Sequence, residues 1–213
     1  MGVIFWGNRK LFSRNERGVR LALKHPLLRQ QPVIGRGVYS LILGNEGSVF
    51  KLTIDRAAYA LAEHQSRWQS PAMPVIRGLH GIVGEIDCGV PLFLIEMETL
   101  HRLDAGSAAR KRCLSIGQQM RQSWGSDKTP SERLREVSAR QPDELGRALA
   151  LLADFLESRW PAANVDLHGG NFMQRRKSGE AVMTDPLMDV ETRDIVVENF
   201  KLGEPEGTAV VFG

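Results

Sequence analysis

The chain has little of what would mark a secreted, membrane-spanning or disulfide-stapled protein. It carries two cysteines, Cys88 and Cys113, in 213 residues. Two thiols at that separation form neither a disulfide framework nor a metal-ligand pattern, and they read as free thiols of a reducing cytoplasm. No apolar run reaches the roughly 18 residues that a membrane helix needs, so no membrane association is expected. The apolar start, Met1–Trp6, is short for a signal peptide, and its basic residues follow rather than precede it. Gly2 follows Met1 but Trp6 breaks the myristoylation pattern. Aromatics are sparse at 7%, and there is no repeat or low-complexity tract.

What is present is one domain's length of ordinary globular composition, 42% hydrophobic, enough for one core or two small lobes around a cleft. The net charge of +3 is unevenly spread. Residues 1–30 carry seven basic side chains (Arg9, Lys10, Arg14, Arg17, Arg20, Lys24, Arg29) against Glu16 alone, so the remainder is acidic by three charges. Such an arm attracts an acidic protein surface or nucleic acid, or is a solvated helix face or loose terminus; direct nucleic-acid binding is the weaker expectation.

After Pro32 the pattern turns β-like. Val33–Leu43, interrupted by Gly35 and Gly37, leads through a turn at Asn45-Glu46-Gly47 into a strand over Ser48–Ile54. Asp55 is a good N-cap for a helix over Ala57–Trp68, which Pro71 and Pro74 end. Strands follow over Gly81–Ile86 and Pro91–Met97, around a turn at Asp87-Cys88-Gly89. The second half is helical. Ala109, Cys113, Ile116, Gly117, Met120 and Trp124 share a helical stripe, Thr129-Pro130-Ser131-Glu132 forms a capping box, and Leu145–Leu156 gives the clearest amphipathic repeat before Pro161. The expectation is α+β: a basic arm over 1–30, a β-rich lobe with one helix over 31–98, and a mainly helical lobe over 99–213.

Chemistry concentrates after Pro161. Asp166-Leu167-His168-Gly169-Gly170-Asn171 precedes Thr184-Asp185-Pro186, with short β segments between them. A turn at Lys177-Ser178-Gly179 predicts a hairpin that brings Asn171 and Asp185 to one end. A carboxylate five residues before an amide, with a second carboxylate downstream, suits phosphoryl transfer, which needs positioning and charge neutralisation more than covalent chemistry. Asp166 would face the attacking hydroxyl. Asn171 and Asp185 would offer hard oxygens to magnesium, which keeps several waters. His168 either orients this loop by hydrogen bonding or packs as a core histidine. Each fragment alone is an ordinary loop or turn; their combination is specific.

The N-terminal half offers matching parts. Gly35 and Gly37 form either a loop whose backbone approaches phosphates or a plain β-turn. Lys51, fourteen residues after Gly37, alternates with Phe50 and Leu52 and so faces cleft or solvent. Glu63 is the only acid in the helix after its cap, and either pairs with Lys51 or is an exposed helical glutamate. Glu96, Met97 and Glu98 fall where a connection between lobes would hold adenine by backbone hydrogen bonds; Met97 lines that slot or fills core.

With these residues in hand, the chain resembles the serine/threonine protein kinase domain of T7-like bacteriophages over about residues 32–188. The likeness rests on Ile34-Gly35-Arg36-Gly37-Val38-Tyr39-Ser40, on Val49-Phe50-Lys51, on Pro74-Val75-Ile76, and on the Asp166–Asn171 and Met183–Pro186 segments. It implies a minimal two-lobe kinase-like fold using ATP and Mg2+. In that frame Asp166, Lys51 and His168 are catalytic, Asn171 and Asp185 bind metal, and Gly35, Gly37, Lys51, Glu63, Glu96, Met97 and Glu98 surround the nucleotide. It further implies action in a bacterial host's cytoplasm on host proteins, with transcription or RNA-processing machinery as plausible targets. Asp185 is followed by Pro186-Leu187 rather than Phe-Gly, and by only 28 residues, a short C-terminal part for a substrate platform. Two alternatives stand beside this reading: a small-molecule kinase of the antibiotic type, and a kinase-shaped protein that blocks a host factor by binding.

Overall fold

The computed structural model describes residues 17–45, 47–123 and 127–200. Glu46, Trp124 and residues 1–16 of the basic segment, which figure in the expectations above, lie outside the described residues. The fold is α+β, a β-rich antiparallel region followed by a largely helical one, compatible with two lobes meeting at a cleft.

The first region is a five-stranded antiparallel sheet. Its strands are β1 (Val33–Arg36), β2 (Ser40–Gly44), β3 (Val49–Thr53), β4 (Ile76–Glu85) and β5 (Pro91–Met97), in the order β1-β2-β3-β5-β4. Alternation sets its two faces. Leu41, Leu43, Phe50, Leu52, Leu92 and Leu94 point to one face and form a core cluster with Val19 and Ala22 of α1 (Arg17–Ala22) and with Leu28. The basic residues Arg17, Arg20, Lys24 and Arg29 stay exposed while Val19, Ala22 and Leu28 are buried, so this part of the basic segment is the solvated face of a layer that seals the sheet. Gly18 is required there: a Cβ would stand 1.9 Å from the Glu85 carbonyl oxygen.

The opposite face carries Lys51, Ile95 and Met97 and receives α2 (Arg56–Trp68). Asp55 caps this helix by accepting from the Ala58 amide, and Gln69 ends it in the left-handed conformation at φ 51°. β4 is longer than its sequence suggests because its half-buried, glycine-interrupted pattern pairs irregularly along the whole of β5.

The second region packs α3 (Ala108–Gln122), α4 (Pro130–Ala139) and α5 (Glu144–Arg159) around Cys113, Ile116, Leu134, Leu149 and Leu152. Thr129 and Glu132 form the expected capping box. Ala57 and Leu61 of α2 join the same core, so α2 belongs to both regions. Truncating one of these fully buried leucines to alanine costs roughly 2–5 kcal/mol. Short strands complete the fold: β6 (His101–Arg102), β7 (Ala163–Val165), β8 (Phe172–Gln174), β9 (Ala181–Met183) and β10 (Leu187–Asp189), paired as β6-β8-β9 and β7-β10. The last helix, α6 (Val190–Phe200), returns to the first region, where Val196 is fully buried in the cluster of Leu41 and Ile54. No helix among the described residues is long and apolar enough to cross a membrane.

Candidate active site

The hairpin after α5 assembles one wall of the site. β8 and β9 pair Phe172 with Met183, which sets Asn171 and Thr184 side by side at the open end. Thr184 fastens them, donating its amide at 2.8 Å and its hydroxyl at 3.1 Å to the Asn171 carbonyl. The far end turns through Gly179 at φ 70°, a conformation that favours glycine.

Asp166 leads this loop. Its backbone amide donates to the Pro186 carbonyl. The Asn171 side-chain amide donates to the Asp166 carbonyl at 2.5 Å and to Asp166 Oδ2 at 3.2 Å. That amide nitrogen is thereby committed to the loop, and the amide oxygen is the atom left for a cation. His168 Nδ1 accepts the Gly170 amide at 3.0 Å, which puts the ring proton on Nε2, 3.8 Å from Asp166 Oδ2. The ring is part-exposed and caps a single 3₁₀ turn over Gly169–Asn171, so it orients the loop rather than filling core. The Asp166 carboxyl is pushed above the ordinary range, first by removal from water and then by the Asp185 charge. His168 and the Asn171 hydrogen bond pull the other way.

The opposite wall comes from the sheet. Lys51, 5% exposed, donates to Asp185 Oδ1 at 2.7 Å, joining residues 134 positions apart. Lys51 therefore faces the cleft. The pocket around this pair, bounded by Ala62, Ile76, Ile95 and Met97, has a cavity volume of about 10 Å³, room for about one water. A larger cleft of about 420 Å³ adjoins it beside the end of α2 and Pro71–Ile76, and the two share Gln65, Pro74 and Ile76 in their walls. Its cation, Arg175, is already bound by both Glu98 oxygens and by the Pro71 and Met73 carbonyls.

Several expected positions fall differently. Glu63 does not meet Lys51. It is exposed on α2, because Ala58, Leu61, Ala62 and Gln65 are the residues that phase toward the cleft. Gly37 closes the β1–β2 connection by donating its amide to Ser40 at 2.8 Å, and Gly35 pairs with Ile42 within the ladder, so neither presents a free N–H cradle. Glu96 lies inside β5 rather than in a connection, and accepts from Ser48 and contacts His80. Met97 lines the cleft. The Glu98 amide donates to the Val75 carbonyl and its carboxylate holds Arg175, so its N–H is not free for a base.

Two residues escaped the sequence reading as site residues. Asp55, read only as a helix cap, is 4% exposed and also accepts the Asp189 amide at 3.4 Å, tying α2 to β10. Burial, and next the Asp185 charge, push its carboxyl up to about 7. Tyr39 hangs from the β1–β2 turn, half-buried. Burial pushes its hydroxyl up to about 12, with Arg193 opposing and Asp55, Asp166 and Asp194 adding to the rise. A bond from one carboxylate to a strand 134 residues away leaves no local signal.

A cation fits here only as a shared guest. Among the described residues no group of three or more His, Cys, Asp or Glu is arranged to hold a metal ion. Asp185 and the Asn171 amide oxygen supply a hard donor pair that suits magnesium completed by waters and phosphate oxygens. No family model matches the chain, and no curated protein matches it.

Proposed function

We propose that the chain is an ATP- and magnesium-dependent phosphotransferase that modifies serine or threonine hydroxyls of proteins, in the manner of the T7-like phage kinases it resembles. The observation that carries this is the convergence of Lys51, Asp166, Asn171 and Asp185 on one cleft from two distant parts of the chain. In this reading Lys51 binds the nucleotide's phosphates, and Asp185 and the Asn171 oxygen hold the cation. Magnesium, when bound, neutralises phosphate charge. Asp166 orients the acceptor hydroxyl and takes its proton as the new oxygen–phosphorus bond forms and the bond to the ADP oxygen breaks. Its raised pKa favours that proton transfer. His168 holds Asp166's loop in place. Host proteins of a bacterial cytoplasm are the proposed substrates.

The 2.7 Å contact between Lys51 and Asp185 fills the space between them, so in this reading nucleotide binding breaks that bond. The same closed cleft favours the second reading, a kinase-shaped binding protein. Thermal unfolding with ATP, with and without magnesium, separates them. The phosphotransferase predicts a magnesium-dependent rise in Tm that Asp185→Asn loses; no nucleotide effect in the wild-type protein favours the binder.

A further inference from the structure

The catalytic loop rests on α3. A Cβ on Gly117 would stand 2.8 Å from the Leu167 carbonyl oxygen, so the helix surface and the loop backbone touch there. One turn earlier, Leu114 lies against Gly169, where an added Cβ would come within 2.7 Å of its Cδ2. Gly169 is three residues from Asp166, and Leu114 is 46% exposed. A large aliphatic side chain in water, against the loop that Asp166 leads, is placed to meet the residues that flank the acceptor hydroxyl.

The charge of the same helix face is one-sided. α3 contains Arg110, Lys111, Arg112 and Arg121 and no acid. Arg112 is engaged by Asp143 and Gln141. Arg110 and Lys111 are exposed, and among the described residues no carboxylate pairs with either. They stand one turn before Leu114, at i−4 and i−3, on the side of the helix that Leu114 occupies. One turn is about 5.4 Å, the reach of roughly two residues of extended chain.

We propose that this face of α3 is the acceptor-docking surface, and that it selects acidic protein segments with an apolar residue next to the phosphorylated Ser or Thr. Leu114 takes the apolar residue, and Arg110 and Lys111 take the carboxylates. The proposal rests on the phosphotransferase reading for the identity of the hydroxyl, but the surface itself is tested by binding alone. A polypeptide fits better than a nucleic acid. Single strands are held by aromatic stacking as well as cations, and α3 has no aromatic residue.

Fluorescence anisotropy of the full chain with three labelled probes tests the surface: an acidic Ser-containing peptide with a neighbouring Leu, its Lys-substituted counterpart, and a single-stranded RNA of similar length. The acidic peptide should bind at least about tenfold more tightly than the basic one. The double change Arg110→Glu with Lys111→Glu should invert the order, and Leu114→Ala should weaken the acidic peptide several-fold with an unchanged Tm. Equal binding of the two peptides, indifference to the charge reversal, or RNA as the tightest probe overturns the proposal. Labelled ATP and magnesium added to the same mixtures test the chemistry separately. Acidic-peptide binding that the variants abolish, with no label transferred, keeps the surface and removes the phosphotransferase. Label transferred with a preference for basic peptides does the reverse. Where transfer occurs, the α3 variants should raise KM for peptide and leave KM for ATP unchanged.

Discussion

The two walls of the cleft are built in opposite ways. The Asp166–Asp185 wall closes on itself within twenty residues: His168 binds Gly170, Asn171 binds Asp166, and Thr184 binds Asn171. The sheet wall has no such local circuit. Lys51 sits where it does because Phe50 and Leu52 bury the other face of β3 under α1, and it donates its hydrogen bond to the opposite wall. A wall held by short-range hydrogen bonds keeps its geometry whatever the other does. A wall held by packing has no such local tie, and its bond to the other wall is the direct one from Lys51 to Asp185.

The largest effect should follow from cutting the bond between the walls. Lys51→Ala removes the cation proposed to bind phosphate and takes away the hydrogen bond that Asp185 accepts from it. Phosphate transfer should fall at least about a hundredfold, and the magnesium-dependent Tm rise with ATP should vanish. Retained nucleotide binding in a folded Lys51→Ala protein would move the site away from this cleft.

The tie between α2 and β10 at Asp55 should show itself in pH. Asp55 is raised to about 7 in the folded chain, against an ordinary aspartate near 4 when unfolded. Between those values the folded state holds the extra proton, so this group's contribution to stability falls as pH rises through that window. The full span is up to about 4 kcal/mol. Unfolding followed from pH 4.5 to 8 should show wild type losing stability relative to Asp55→Asn. Parallel curves would mean that Asp55 is ionised throughout.

Asn171→Ala cuts the local circuit instead. It should cost about 1–3 kcal/mol, since the Asp166 carbonyl loses its side-chain donor, while Asp55 and the sheet wall are untouched. Urea denaturation measures this, and a neutral result would mean that the loop is held by its other bonds, from Gly170 to His168, from Asp166 to Pro186 and from Thr184 to the Asn171 carbonyl. The smallest effect is expected at Glu63. Because it is exposed, Glu63→Ala should change transfer less than about threefold; a hundredfold loss would show that the walls rearrange to bring it to Lys51 during turnover.

The same contrast explains what could be read from the sequence. The hairpin and its turn at Gly179 followed from spacing and turn residues, because their partners are near in sequence, and they set Asn171 beside Thr184, the neighbour of Asp185. The Asp55 cap and the Thr129 capping box were legible for the same reason. Glu63 was misplaced because one acid in a helix says nothing of which face the helix turns inward; Ala58, Leu61, Ala62 and Gln65 decide that by packing. Glu96 was misplaced because β5 continues through it, paired with both Phe50 and Gly78. α6 was invisible because its anchor, Val196, is buried by residues more than a hundred positions away.

Asp166→Asn tests the central claim most directly, since it leaves Lys51, Asn171 and Asp185 in place and removes only the group assigned to the acceptor proton. Transfer of labelled phosphate from ATP to protein, measured at saturating ATP and magnesium, should drop at least about a hundredfold, while the magnesium-dependent Tm rise with ATP stays near that of wild type. Transfer at the wild-type rate by a folded Asp166→Asn protein would contradict the account.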